Sequence, residues 1–170
     1  METSVDFLKD KIIVAIDPGK SGGVAVVSYS DRPPFSTKLY NCPDSPEDMA
    51  NIIFSVRNKG LIGGNKIIAV IEHVWSFPTD ARSAAFKFGT NYGIWIGILG
   101  TLKIEHEKVS PQKWMKMYAP LPKNKQDRKR RLKEIAKKID DKATLKTCDA
   151  LLIANYLFIR DKGGNNDDRK

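Results

Sequence analysis

The sequence predicts an α/β fold: a mixed five-stranded sheet, three antiparallel strands followed by two parallel ones, flanked by helices. Three observations predict it. First, the β-branched and apolar run Lys11–Asp17 is followed, after a turn rich in Pro and Gly, by a second apolar run at Val24–Val27, the pattern of a strand and its returning neighbour. Second, Lys66–Glu72 is continuously apolar instead of alternating, as expected of a central strand buried on both faces in a parallel arrangement. Third, the stretches after these strands carry apolar residues at helical spacing.

Taken in order, Asp31-Arg32-Pro33-Pro34 breaks the pattern after the second strand, and Thr37–Tyr40 supplies a third that completes an antiparallel meander. Ser45-Pro46-Glu47-Asp48 reads as a helix start, with Ser as N-cap, Pro at the first position and acids complementing the dipole. That helix presents Met49, Ile52, Ile53 and Val56 on one face and stops near Gly60. Residues 82–102 form a helix thinned by Gly89, Gly93, Gly97 and Gly100. Repeated glycines weaken a helix, so they signal either a tight internal packing or the close approach of a second subunit. Lys103–Val109 alternates as an outer strand, and Ser110-Pro111 opens a helix containing Trp114. The most basic stretch, Lys123–Lys133, continues into Leu132, Ile135, Ala136 and Ile139, a helix with one packed and one basic face. Asp149–Leu157 closes the chain as a buried helix, with Thr147 as N-cap and Asp149 in its first turn.

With 170 residues and 41% apolar composition, the chain is read as one domain over residues 11–160, an N-terminal extension 1–10 and a polar tail 161–170. A net charge of +9 points to a polyanion, nucleic acid before membrane surface. No apolar run approaches the roughly 20 residues of a membrane span, and the acidic N-terminus is no secretory signal. Cys42 and Cys148 stand far apart, in no metal-ligand spacing, which favours a reducing cytoplasm over a disulfide framework.

Three acids carry the chemistry. Asp17 and Glu72 each end an apolar strand, and two parallel strands releasing acids at their C-terminal ends build a site where open α/β sheets place ligands. Asp17 taken alone is equally the capping residue of an Asp-Pro-Gly turn. Asp149 adjoins the closing helix. Acids gathered in this way repel unless cations neutralise them, and oxygen-only ligands suit Mg²⁺ or Mn²⁺. A carboxylate cluster on a basic protein suggests metal-assisted phosphodiester hydrolysis, two ions about 4 Å apart activating water and stabilising the leaving oxygen.

The segments Ile16-Asp17-Pro18-Gly19, Ile71-Glu72-His73-Val74, Ser83–Gly89, Val109-Ser110-Pro111-Gln112-Lys113-Trp114 and Asp149–Ala154 resemble, in order and spacing, the RuvC-like Holliday junction resolvases, most closely their bacteriophage branch. The resemblance covers roughly residues 11–160. It implies an RNase H-like fold, a homodimer, and paired nicks across a four-way DNA junction with Mg²⁺ or Mn²⁺ and no small-molecule cofactor. Carried over by position, Asp17, Glu72 and Asp149 are the metal-binding catalytic acids, and Lys129 and Lys116 lie near positions that assist catalysis. Trp75 falls where the family places an aromatic residue that stacks on bases; the alternative is a core or interface Trp. The helix at 82–102, opened by Arg82, becomes the dimer seam. One departure stands out. Leu145-Lys146-Thr147-Cys148-Asp149-Ala150-Leu151-Leu152 is about four residues shorter than the phage pattern, so Asp149 stands for either of two acids and one ligand is missing. Asp140 and Asp141 are the acids at hand to replace it, and Lys146 sits three residues before Asp149.

Lys123, Lys125, Arg128, Lys129 and Arg131 are candidate phosphate contacts, with a solvated helix face as the alternative, and Arg82 and Lys116 join them and Trp75 as candidate DNA-binding residues. Gly19-Lys20-Ser21 is not a P-loop, because Val14 stands where that loop needs Gly. His73 and His106 have no helical metal spacing. Two rivals accompany the resolvase expectation: a branched-DNA-binding protein with a degenerate metal site, and a sugar-kinase or actin-like ATPase, whose two lobes need more chain than this.

Overall fold

The computed structural model describes residues 11–29, 36–73 and 81–163. The N-terminal extension, the break at Asp31–Pro34, Trp75 and the tail beyond Gly163 lie outside the described residues.

Strands β1 (Lys11–Asp17), β2 (Gly23–Tyr29), β3 (Ser36–Asn41), β4 (Lys66–Glu72) and β5 (His106–Val109) form one sheet in the order β3-β2-β1-β4-β5. The β3-β2-β1 pairs are antiparallel, and β4 and β5 extend the sheet in parallel. The mixed sheet read from the sequence is therefore the one observed. Central β1 explains why its sequence is unbroken by polar residues: strand side chains alternate between faces, and here both faces are covered. Ile12, Val14 and Ile16 join Met49, Ile53, Trp95 and Leu99 in one core. Ile13 and Ala15 join Trp114, Leu132, Leu151 and Tyr156 in the other.

The first core is roofed by α1 (Pro46–Gly63) and α2 (Arg82–Thr101), the second by α3 (Pro111–Met115), α4 (Lys125–Lys137) and α5 (Cys148–Gly163). Ser45 caps α1 as expected, its hydroxyl accepting from the Asp48 N–H at 3.0 Å. The helix runs past Gly60 to Gly63 and is closed by Gly64 at φ 65°. Gly60 is a packing residue instead of a stop, because a Cβ there would lie 2.3 Å from Ile67 Cδ1. The outer strand is shorter than expected: Lys103–Glu105 turn out of α2, with Lys103 at φ 52°. The helix after Ser110 covers only five residues before a 3₁₀ turn at Lys116–Tyr118. Ile139, expected on the packed face of α4, lies beyond the helix end and is 40% exposed. Thr147 does precede α5 with Asp149 in the first turn, but its hydroxyl accepts from the Thr144 N–H at 2.9 Å, stitching the preceding loop. Finally, α5 continues three residues past position 160, and Asp161 is bonded to Lys11 and Arg160.

Candidate active site

The parallel pairing of β1 with β4 aligns Ile16 with Ile71, so the next residue of each strand, Asp17 and Glu72, leaves the sheet at the same edge. A third acid arrives from the far end of the chain, and glycines make the approach possible. A Cβ on Gly23 would lie 2.7 Å from the Lys146 carbonyl and 2.8 Å from that of Tyr40; one on Gly22 would lie 2.0 Å from the carbonyl of Asp17. Bare backbone at the β1–β2 turn lets the 143–148 loop lie against it. Asp149, in the first turn of α5, then faces the same cleft as Asp17 and Glu72.

Each carboxylate has a defined partner. Buried Trp114 of α3 donates its indole N–H to Glu72 Oε1 at 2.8 Å. Lys129 reaches in from α4, where Leu132 and Ala136 pack the same helix face into the core. Its Nζ lies 2.5 Å from Asp149 Oδ2 and 4.0 Å from Asp17 Oδ2. The acids are largely buried at the base of a cleft: Glu72 is 6% exposed and Asp149 8%.

Burial sets the electrostatics. It raises the Asp17 carboxyl well above its ordinary range, and the neighbouring Glu72 and Asp149 push it further. Burial also raises Glu72, against the lowering pull of the Trp114 hydrogen bond. For Lys129, burial disfavours the ammonium, but the charge of Asp149, with smaller help from its other neighbours, outweighs that and holds it protonated. Cys148, beside Asp149, is pushed up to about 12 by burial, so it is a neutral thiol here.

These groups open into a cleft of about 510 Å³ whose rim adds Lys125, Arg128 and Lys146. Asp17, Glu72, Asp149, Lys129, Lys125 and Arg128 are thus brought together as candidate site residues. Arg82, Lys116, Lys123 and Arg131 do not line the cleft. Arg131 pairs instead with Glu134 at 3.2 Å, and the Lys123 carbonyl accepts from Arg128 at 2.9 Å. Trp75 lies outside the described residues. Neither Asp140 nor Asp141 replaces the missing ligand. Asp140 is held at β3 by the Thr37 hydroxyl, a bond that lowers its carboxyl below the ordinary range. The sequence reading passed over Trp114 as a partner of Glu72 and over Ser21 and Phe88 as cleft residues; the first had a signal, its place in the Val109–Trp114 motif.

The donor set suits a hard divalent cation in chemistry and charge. Buried and mutually repelling, Asp17 and Glu72 are held above their ordinary range, and a divalent cation such as Mg²⁺ or Mn²⁺ between the three acids would favour their ionised forms. Among the described residues, no three Asp, Glu, His or Cys side chains stand as a ready-made metal cage. The Lys129 ammonium, in contact with Asp149 and near Asp17, is the cation these acids already hold.

Among solved structures, Thermus thermophilus RuvC superposes with a TM-score of 0.58 at 18% identity, covering 90% of this chain and 96% of that one. The chain has the RuvC fold. T. thermophilus RuvC in complex with a Holliday junction substrate gives 0.57 at 14% identity, over 91% and 96% of the two chains. The yeast mitochondrial Holliday junction resolvase Ydc2 gives 0.49 at 12% identity, over 95% and 86%. No protein-family model and no curated protein sequence matches the chain. The mixed five-stranded sheet with flanking helices matches that fold, as the expectation of an RNase H-like architecture required. Among the described residues no helix is long and apolar enough to cross a membrane, and both cysteines are buried and free.

Proposed function

We propose that this chain is a structure-selective, divalent-metal-dependent DNA endonuclease that resolves four-way junctions by paired nicks, acting as a homodimer. One observation carries the reading. Three acids from three separate elements converge beside Lys129 in a cleft rimmed by Lys125, Arg128 and Lys146, the arrangement that phosphodiester hydrolysis on a polyanion requires. The known junction complex of a protein with this fold, T. thermophilus RuvC, supports branched DNA as the substrate class.

Asp17, Glu72 and Asp149 would hold Mg²⁺ or Mn²⁺, which when bound supplies a hydroxide-like nucleophile and charge neutralisation at the leaving oxygen. The chain's own residues do the rest. Trp114 fixes the Glu72 carboxylate through its indole N–H. Lys129, kept protonated by Asp149, is positioned to stabilise negative charge developing on the phosphate. Lys125 and Arg128 on the cleft rim meet the flanking phosphates. The open glycine face of α2, where Cβ atoms at Gly89, Gly93, Gly97 and Gly100 would meet nothing, is the surface offered to a second copy.

The test is nicking of a labelled four-way junction and a matching linear duplex in Mg²⁺, Mn²⁺ or EDTA. Symmetric, metal-dependent cuts on the junction alone are expected. Metal-independent binding without cuts would favour a second reading, a branched-DNA-binding protein, which the Lys129 ammonium among the acids and Lys146 on the rim favour.

A further inference from the structure

Beside the acidic cleft lies a second groove, of about 760 Å³, on the other side of the β1–β2 turn. The two share Ser21, Phe88 and Lys146 in their linings, so they adjoin at these residues. The second groove holds no acid of the catalytic set. Its charged lining is Lys20, Lys87 and Lys146 against a single carboxylate, Asp44, an excess of two positive charges. Its floor is rigidly tied to the site: Asn91 Oδ1 on α2 accepts from the Gly19 N–H at 2.9 Å, two residues from Asp17. The Phe88 ring packs over Gly19, where φ is +105° and a Cβ would touch the ring at 3.5 Å. The first turns of α2 border the groove, and among the described residues that first turn carries no acid.

We infer that this groove carries the DNA strand as it leaves the reacting phosphodiester, with Lys20 and Lys87 on successive phosphates, Lys146 at the junction of the two grooves and the Phe88 ring offered to a base. Fixed cations along a trough with an aromatic face is the general form of a single-strand track. The inference rests on the DNA-cleaving reading above and adds to it the side on which the strand exits.

The test measures binding of the full chain to a labelled immobile four-way junction in EDTA across a salt series. Lys20 and Lys87 are exposed, so Lys20→Ala/Lys87→Ala folds as the parent does. The double variant is expected to bind about tenfold more weakly, with the slope of log affinity against log salt reduced by about 1 per lysine. Phe88→Leu keeps the bulk over Gly19 but loses the ring. It is expected to weaken binding by about 5- to 150-fold and to abolish the quenching of 2-aminopurine placed in the junction strand at its crossover point. If the wild-type chain binds the junction but both variants match it in affinity, slope and quenching, the groove is not on the strand path and the nuclease reading stands. If the wild-type chain binds neither junction nor duplex, that reading falls and this inference with it.

Discussion

The Lys129 ammonium lies 2.5 Å from Asp149 Oδ2, closing an ion pair between α4 and the first turn of α5 in the acidic cleft. With Asp17 Oδ2 at 4.0 Å, one lysine counters two buried acids. It thereby holds together the two elements that carry these acids, and on the proposed function it also balances charge during the reaction.

Replacing it separates those roles. Lys129→Met is expected to destabilise the metal-free chain by about 2 kcal/mol, the loss for a buried pair reduced because Lys129 is a third exposed. Nicking is expected to fall about 10²–10³-fold. Because the variant's acids lack their internal cation, Mg²⁺ raises its melting temperature more than that of the parent. Equal shifts in the two proteins would show that the metal and Lys129 do not share the acids.

Trp114 donates its indole N–H to Glu72, and on the proposed function it positions that carboxylate. Trp114→Phe removes the indole N–H and is expected to cost about 1.5–3 kcal/mol in chemical denaturation, beyond any repacking. The lost bond favoured the carboxylate, so the Glu72 acid moves further up and the acidic limb of the nicking rate shifts to higher pH. An unmoved limb would leave Trp114 a purely structural role.

Gly23 decides whether Asp149 reaches the site. A Cβ would run into two carbonyls, of Lys146 and Tyr40, and neither is a flexible side chain. Gly23→Ala is expected to cost about 1–3 kcal/mol and to depress nicking more than its stability loss explains, as the 143–148 loop moves off the turn. Thermal melts and single-turnover nicking on the same preparation check it.

At Gly93 the neighbouring space is open. Gly93→Glu is expected to leave the folded monomer intact, with a gain of about 0.5 kcal/mol from helix propensity. If α2 is the seam between copies, the variant sediments as a monomer where the parent sediments as a dimer. Dimers in both would move the seam elsewhere.

The end of α5 is anchored by charge. Burial alone would raise the Asp161 carboxyl, but hydrogen bonds from Lys11 and Arg160 outweigh it and hold it below the ordinary range. A depressed folded value means the contribution is fully present above the unfolded value, about 3.9, and is lost as pH falls through the folded one. Asp161→Asn is therefore expected to flatten the fall in stability below about pH 5, measured by denaturant melts across pH.

Much of this molecule was legible in the order of its residues. The apolar runs Ile12–Ile16 and Ile67–Ile71 declared buried strands, the second covered on both faces, and the acid ending each declared an edge where a site forms. Ser45-Pro46 declared a helix start, because capping is a local hydrogen bond that needs no distant partner. What tertiary structure alone decided were long-range matters. The loop before Asp149 is short, and its spacing says nothing of where that acid points; a glycine 126 residues earlier, Gly23, does, by admitting Lys146 and Thr147 against the turn. Of the basic residues at 123–131, Lys125, Arg128 and Lys129 reach the cleft and Arg131 turns outward to Glu134. The face a helical residue presents depends on which stripe, here Leu132 and Ala136, the core has taken. Charge fixes how strongly this protein attracts a polyanion; packing fixes where that charge is aimed.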